Sequence, residues 1–317
     1  MPLNLLSCSA HLKRNGCLKC IQDWSMEGEE WNMGGMRGFI IGSQGSQWEK
    51  KVRRRKKWVL LRKERLFVGR GFCDESNEKV LMYEYASRGS LDLYLNSEDL
   101  SWVQSLRICI GAARGLEYLH NPGKTQQRVL HRDIKSSNIL LNENWNAKIS
   151  DLGLSKFGPA NQQYTFLVSN TVGTIGYCDP LYVETGLLTK EYDVYSFGVV
   201  LFEILCGRLC IDNKNDKCRS LPRLVQEYYE QNKIKEIVYG NIKDEIESSS
   251  LEAFTTVAYQ CLKRNLRERP SMTKVLRILE NALRYQVSFF SHYAKVQYTI
   301  GNSTTGKKDH TTNCITI

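Results

Sequence analysis

The amino-acid sequence predicts an α+β fold in two unequal parts, a small strand-containing piece followed by a larger, mainly helical one. Three observations carry that prediction. Residues 79–85, KVLMYEY, form a short β-type run closed by a Ser-Arg-Gly-Ser turn at 87–90. From residue 190 onward, apolar residues recur at helical spacing. Between the two lie short apolar runs joined by irregular, polar loops, which is where chemistry concentrates in a folded domain.

The elements follow in order. Ahead of the first strand, Trp48, Val52, Val59 and Leu66 recur at spacings of four and seven and allow one amphipathic helix. Glycines at 28, 34, 35, 38, 42 and 45 show no strand periodicity, so residues 1–66 read as an irregular leader. Ile108, Ala112, Leu116 and Leu119 line one face of a helix. Runs at 129–130, 139–141 and 147–149 are short strands around loops. Helices are expected over 194–205, 221–229, 251–262 and 271–283. The polar tail from Gly301 has the composition of a disordered segment. The expected organisation is a leader over 1–66, a folded body over 67–284 divided near residue 87, and a tail over 285–317.

Composition narrows the possibilities. The chain has 317 residues, 42% of them apolar and 25% charged, which suits a globular protein with a sizeable core. The most apolar stretch, residues 195–206, is twelve long and contains Glu203, so it reads as a buried helix rather than a membrane span. The first residues, Met1-Pro2-Leu3-Asn4, carry no secretory or myristoylation signal. Eleven cysteines, an odd number scattered through apolar segments, suit reduced thiols used as small core residues. Cys8, His11, Cys17 and Cys20 hold one Cys-x-x-Cys, but no second pair at finger-like spacing follows, so no metal is assigned there.

The net charge of +10 is unevenly spread. Between Glu49 and Arg65 stand ten Lys or Arg against two Glu, which leaves +2 for the rest of the chain. Such a run can meet nucleic acid, anionic lipid or an import receptor, or be a solvated face. No aromatic stacking platform or nucleic-acid fold signature accompanies it, so no specific nucleic acid is expected.

Chemistry is concentrated in three segments. His131-Arg132-Asp133-Ile134-Lys135-Ser136-Ser137-Asn138 matches the H-R-D-L-x-x-x-N catalytic loop, with Ile for Leu. Phosphoryl transfer needs positioning and charge neutralisation more than covalent chemistry. In that pattern Asp133 orients a hydroxyl and accepts its proton, Lys135 meets the γ-phosphate, and Asn138 ligates magnesium. Thirteen residues on, Asp151-Leu152-Gly153 is a D-F-G element with Leu in the middle. Asp151 supplies oxygen for a hard cation, and Leu152 keeps an apolar side chain for packing under a regulatory helix. The third segment, Gly173 to Pro180, is similar to the substrate-docking end of an activation segment. There Thr174 is placed to bond Asp133 and Lys135, favouring Ser or Thr over Tyr as acceptor. Asp193 follows, able to cap the backbone of the catalytic loop, since a buried carboxylate needs such partners.

These segments resemble the plant receptor-like Ser/Thr kinases, most closely the subgroup with malectin-like ectodomains. The likeness is carried by GFCDESNEKVLMYEYASRGSLDLYL, LHRDIKSSNILLNENWNAKISDLGLSK, GTIGYCDPLY and YDVYSFGVVLFEILCGR, over about residues 67 to 284. It implies a two-lobed protein-kinase-like fold with an incomplete small lobe (67–86) and a helical large lobe (87–284). ATP would lie at the hinge, with Tyr83 as gatekeeper, Glu84 to Ala86 as hinge, Leu140 beneath the adenine, and Mg2+ on Asn138 and Asp151. Arg132 beside Asp133 implies a pocket for a phosphate on the activation segment. Thr165, Ser169 and Thr171 are the candidate acceptors, with Ser155 a weaker one. Protein substrates and other receptor-like kinases are the implied partners, met in the cytoplasm or at the inner face of the plasma membrane.

The resemblance breaks in two places. The family's G-x-G-x-x-G-x-V loop and V-A-I-K lysine are missing. Counting back from Gly71 places that lysine near 38–42, which reads Gly-Phe-Ile-Ile-Gly, and Glu49 has no Lys to pair with. Either the chain is a pseudokinase scaffold, or a splice or frame change has replaced the true segment of a working kinase. Secondly, Leu181 stands where the family has a Glu that pairs with Arg269, and Glu184 is three residues out of register. An uncompensated Arg269 would weaken the helical lobe by about 3–5 kcal/mol.

Overall fold

The computed structural model describes residues 25–27, 30–33, 36–39, 66, 71–75, 78–82, 85–121, 128–158, 166–211 and 220–304. Side chains are described at 66 and, within those spans, from 85 to 289. Five strands form the first layer: β1 (Ser25–Glu27), β2 (Glu30–Met33), β3 (Met36–Phe39), β4 (Gly71–Glu75) and β5 (Glu78–Met82). They make one antiparallel sheet in the order β1-β2-β3-β5-β4, with Phe39 opposite Leu81 where the early and late strands meet. Three of these strands lie before residue 67, in text read as an irregular leader. Strands of three or four residues are too short to show the period-two alternation that betrays a longer strand. The expected helix over 48–66 and the Cys8, His11, Cys17 and Cys20 cluster lie outside the described residues, apart from Leu66. Leu66 is buried and bridges in parallel to Ile149.

The helical lobe comprises α1 (Trp102–His120), α2 (Pro180–Thr185), α3 (Lys190–Cys206), α4 (Leu221–Glu230), α5 (Gly240–Lys243), α6 (Ser248–Cys261) and α7 (Met272–Thr304). Short strands connect the working loops: β6 (Val129–Leu130), β7 (Ile139–Leu141), β8 (Ala147–Ile149), β9 (Lys156–Phe157), β10 (Leu167–Val168) and β11 (Leu187–Leu188). They pair as β6 with β9, β7 with β8 and β10 with β11.

Local chemistry sets several boundaries. Ser101 and Gln104 close a reciprocal capping box at the start of α1, which satisfies two backbone donors otherwise orphaned there. Gly207 ends α3 in the left-handed conformation, where a Cβ would be penalised. Helix α3 is apolar around nearly its whole circumference and is buried from Tyr192 to Leu205, as a helix must be when surrounded by others. Trp102 is fully buried with an edge-on contact to Phe254, and its indole N–H reaches Ser250 Oγ at 3.0 Å.

Helix α7 runs well past residue 284. Gln286 is fully buried, donating to the Glu245 carbonyl at 2.7 Å and accepting from the Glu247 N–H at 2.9 Å. Those two bonds tie the extension to the body by groups that a hydropathy pattern does not register.

One expectation is overturned. Arg269 is buried but fully paired: its two terminal nitrogens meet Asp179 Oδ2 at 2.5 Å and Oδ1 at 3.0 Å. It also donates to the backbone carbonyls of Lys263 and Glu191. Asp179, two residues before Leu181, takes the position of the missing carboxylate and caps the Leu181 N–H at 2.9 Å. Glu184 bonds exposed Arg264 instead. Arg269 is therefore not left uncompensated by Leu181, because one carboxylate serves both the helix cap and the guanidinium.

Candidate functional site

The site grows from the turn between β6 and β7. Arg132 has φ +75°, a strained geometry for a residue with a long side chain, and Asp193 holds it there. Asp193, fully buried on α3, accepts from the His131 and Arg132 backbone N–H groups, each at 2.8 Å. Its Oδ2 also lies 3.0 Å from His120 Nε2. His131 Nε2 is 2.8 Å from the Ser150 carbonyl, linking the loop to the end of β8. The loop is thus clamped from below and from the side before any substrate arrives.

On this support three side chains converge. Thr174 Oγ1 donates to Asp133 Oδ1 at 2.7 Å and accepts from Lys135 Nζ at 2.9 Å. Lys135 Nζ is 3.3 Å from Asp133 Oδ2, closing the triangle. Asn138 Nδ2 donates to the Asp133 carbonyl at 2.8 Å and to Oδ2 at 3.2 Å. That orientation turns the amide oxygen of Asn138 away from Asp133. Asp133 and Asn138 are both buried, while Lys135 is half-buried.

Asp151 sits at the exposed mouth with φ +54°, one carboxylate oxygen accepting from Gly153 N–H at 3.2 Å. Its predecessor Ser150 donates both its N–H and its hydroxyl to the Asn138 carbonyl, at 2.8 and 2.9 Å. Ser150 thus ties the residue before Asp151 to the Asn138 backbone, and the Asn138 and Asp151 side chains are of the oxygen-bearing kind that a hard divalent cation takes. Leu152 and Gly153 are half-buried, and Leu152 packs on the main core of the helical lobe. Leu140 is half-buried on β7 and bridges to Ser90, just past the turn that follows Ala86, whose carbonyl accepts from Gly89 N–H. Tyr83 and Glu84 lie outside the described residues, as does Thr165.

A second pocket surrounds Arg132. Its guanidinium donates to Ser169 Oγ at 3.1 Å, to the Leu154 and Asn170 carbonyls, and to the Tyr182 hydroxyl at 2.9 Å. Lys156 Nζ reaches the same Ser169 Oγ at 2.6 Å. Two cations therefore share one hydroxyl. Thr171 is exposed, and Ser155 is buried with its hydroxyl bonded to the Leu152 carbonyl, away from solvent.

Several contributors were not read from the sequence: Lys156, Tyr182, His120, Ser150, Tyr177, Asp179 and Glu203. Each acts through tertiary approach rather than local spacing. Gly173 is one place where local chemistry does speak. Its φ is +136°, and a Cβ there would fall 2.9 Å from the Arg132 carbonyl, so only glycine lets the docking loop lie against the catalytic loop.

A sheet followed by a helical lobe, with a clamped carboxylate between a lysine, a threonine and an amide, defines a phosphotransferase-type site on a two-lobed fold. The protein kinase domain profile matches residues 56–278, and this chain belongs to the protein kinase family. Its relatives include receptor-like protein kinases of Arabidopsis thaliana. One is 43% identical over 221 residues, covering 68% of this chain and 25% of the relative. The receptor-like protein kinase HERK 1 is 43% identical over 220 residues, with 68% and 26% covered. The receptor-like protein kinase ANXUR1 is 42% identical over 220 residues with the same coverage. The chain thus spans about a quarter of the length of these relatives. Among the described residues, no helix is long and apolar enough to cross a membrane.

Proposed function

We propose that this chain transfers the γ-phosphate of ATP to Ser or Thr hydroxyls of protein substrates, in signalling of the receptor-like type. The observation that carries this is the triangle of Asp133, Lys135 and Thr174. A hydroxyl entering it meets a carboxylate that orients it and takes its proton, next to a cation facing the transferring phosphoryl group. Thr174 holds the carboxylate's rotamer by its hydrogen bond, an arrangement that supports small alcohol acceptors. Asn138 and Asp151 would hold magnesium, which when bound neutralises charge on the phosphates. Leu140 and Ala86 would flank the adenine. Arg132 and Lys156 are placed to receive a phosphate on Ser169, drawing the activation segment against the catalytic loop. Protein substrates are in keeping with the relatives' names as protein kinases; other receptor-like kinases as partners and a position in the cytoplasm or at the inner face of the plasma membrane are part of the same proposal.

A second reading, a pseudokinase scaffold, is supported by β3. This strand, third in the five-stranded sheet, carries Arg37 and no lysine. Losing the lysine's contact to the α- and β-phosphates, if it supplies ~10²–10³-fold, raises the barrier by about 3–4 kcal/mol, leaving weak turnover. Autophosphorylation of the purified chain with Mg-ATP, beside an Asp133→Asn control, separates the readings. Incorporation that vanishes in the control supports transfer. Incorporation no greater than the control overturns it in favour of the scaffold.

A further inference from the structure

Just after residues 84–86, the expected hinge, the chain is fastened to β7 by a contact that the phosphoryl-transfer site does not use. The Arg88 N–H donates to the Leu141 carbonyl at 3.2 Å, and the Leu141 N–H donates to the Gly89 carbonyl at 2.9 Å. Ser90 then bridges to Leu140. Beside this pairing the Arg88 guanidinium lies over the face of Trp145, 4.1 Å from the ring centroid. Its Nε donates to the Glu143 carbonyl at 3.3 Å, and Ser87 Oγ donates to Glu143 Oε2 at 3.4 Å. Tyr94 meets the indole edge-on with centroids 5.1 Å apart, and both rings pack on the main core of the helical lobe. Arg88 and Trp145 are both half-buried.

Trp145 has φ +60°, a region that a bulky side chain enters only when its surroundings compel it. The turn between β7 and β8 supplies the compulsion. Asn142 Oδ1 accepts from the Asn144 and Asn146 N–H groups at 3.0 and 2.9 Å, and the Trp145 N–H donates to the Asn142 carbonyl at 3.0 Å. Glycine would make the same turn without strain. The indole is therefore kept at a cost to the backbone, and what it meets there is Arg88 on its face and Tyr94 at its edge.

We infer that Arg88 and Trp145 are positioning residues for the nucleotide base, their stack holding the hinge exit on β7 and so keeping Ala86 and Leu140 in one fixed relation. The consequence for nucleotide rests on the reading of residues 84–86 and Leu140 as the adenine site, while the stack itself does not. Both ends of that relation are tied to the fastened segment. The Ala86 carbonyl accepts from the Gly89 N–H at 2.9 Å, and Leu140 lies on the strand with which the segment pairs. A base that binds only the fastened arrangement has its apparent dissociation constant raised by the inverse of the fastened fraction. Without the stack, that arrangement is held by two backbone bonds and the exposed Ser87–Glu143 contact, so a loss of about fivefold in binding is expected. Neither side chain belongs to the Asp133, Lys135 and Thr174 triangle, so the transfer step itself is left alone.

The test is fluorescence titration of the full chain with N-methylanthraniloyl-ADP and Mg2+, in a double-mutant cycle of Arg88→Ala and Trp145→Leu. Leucine keeps an apolar group against Tyr94 and removes the face beneath the guanidinium. Each single variant should weaken binding about fivefold, and the double variant no further than the weaker single, because both changes break one contact. Arg88→Lys keeps a cation over the ring and should bind within about twofold of the wild type, which keeps the inference testable if Trp145→Leu folds poorly. In phosphate-incorporation assays on the same preparations, KM for ATP should rise with the dissociation constant while kcat changes less. Single variants that bind as tightly as the wild type, effects that multiply in the double variant, or a wild-type chain that binds no probe overturn the inference. If binding follows the cycle but no phosphate is transferred from Mg-ATP, base positioning stands and the kinase reading falls. Transfer with a nucleotide affinity indifferent to both residues has the reverse meaning.

Discussion

Replacing Asp179 by Asn tests the most consequential energetic assignment in the helical lobe. Asp179 is 2% exposed and Arg269 is 6% exposed, and their pairing is bidentate. Asn keeps a side-chain oxygen for the Leu181 N–H, because Asn caps helices about as well as Asp. What Asn removes is the charge. Arg269 then retains the Lys263 and Glu191 carbonyls, which solvate a guanidinium but do not neutralise it. Stranding one partner of a buried pair costs about 3–5 kcal/mol. At roughly 2–4 °C per kcal/mol for a domain of this size, the melting temperature should fall by about 6–20 °C. Asp179→Ala removes the cap as well and should cost about 1 kcal/mol more.

Thermal and urea unfolding of the wild type and both variants, each followed by circular dichroism, measure the effect. The same reasoning assigns Leu181→Glu little value in the wild type, since Arg269 already has its carboxylate, but a substantial rescue in the Asp179→Ala background. A melting temperature for Asp179→Asn within about 2 °C of the wild type would refute the pairing as a stabilising contact. So would Leu181→Glu raising the wild-type value by as much as it raises that of the Asp179→Ala variant.

Three further outcomes are expected. Asp193→Ala, which orphans the His131 and Arg132 N–H groups in the interior, should cost about 2–5 kcal/mol by urea unfolding and depress phosphotransfer beyond that loss. Glu203 titrates near 7 in the folded chain against 4.5 when unfolded, so the native state binds the extra proton between those values. Stability should therefore fall as pH rises from about 4.5 to 7, by about 3 kcal/mol, and stay level above; Glu203→Gln should remove that slope from urea midpoints collected across the range. Ser169→Ala, leaving Arg132 and Lys156 without their shared hydroxyl, should lower autophosphorylation of the activation segment by mass spectrometry, whereas Ser155→Ala, at a buried site, should not.

How much of this was legible in the sequence depended on how far each feature reaches along the chain. The catalytic triangle draws on Asp133 and Lys135 in one motif and Thr174 in another, and both motifs have local signatures. Helices such as α1 announce themselves because they bury one face at a fixed period, and α3 does so by a nearly continuous apolar run. The carboxylate for Arg269 was misplaced because a register argument fixes attention on residue 181, whereas a guanidinium seeks the nearest buried oxygen, and the cap at Asp179 already points one inward. Lys156 and Tyr182 escaped notice because their value lies in tertiary approach, Lys156 meeting Ser169 across 13 residues of chain and Tyr182 meeting Arg132 across 50, which spacing does not encode. The early strands were missed because three-residue pairings leave no periodic trace.

The two halves of the site differ in what holds them. Asp193 near the start of α3 grips the catalytic loop, and Glu203 near its end grips the docking loop, both from within one fully buried helix. A helix packed on every side moves as a rigid bar, so the spacing between acceptor loop and catalytic loop is fixed by core packing rather than by nucleotide. On the kinase reading, the residues assigned to the acceptor side all lie within 131–203. Whatever residues clamp the phosphates determine how fast transfer runs, not where the acceptor hydroxyl sits. A chain with a weakened clamp would then still dock its protein partners in register, which is why the kinase and scaffold readings predict the same binding surface and diverge only in phosphate incorporation.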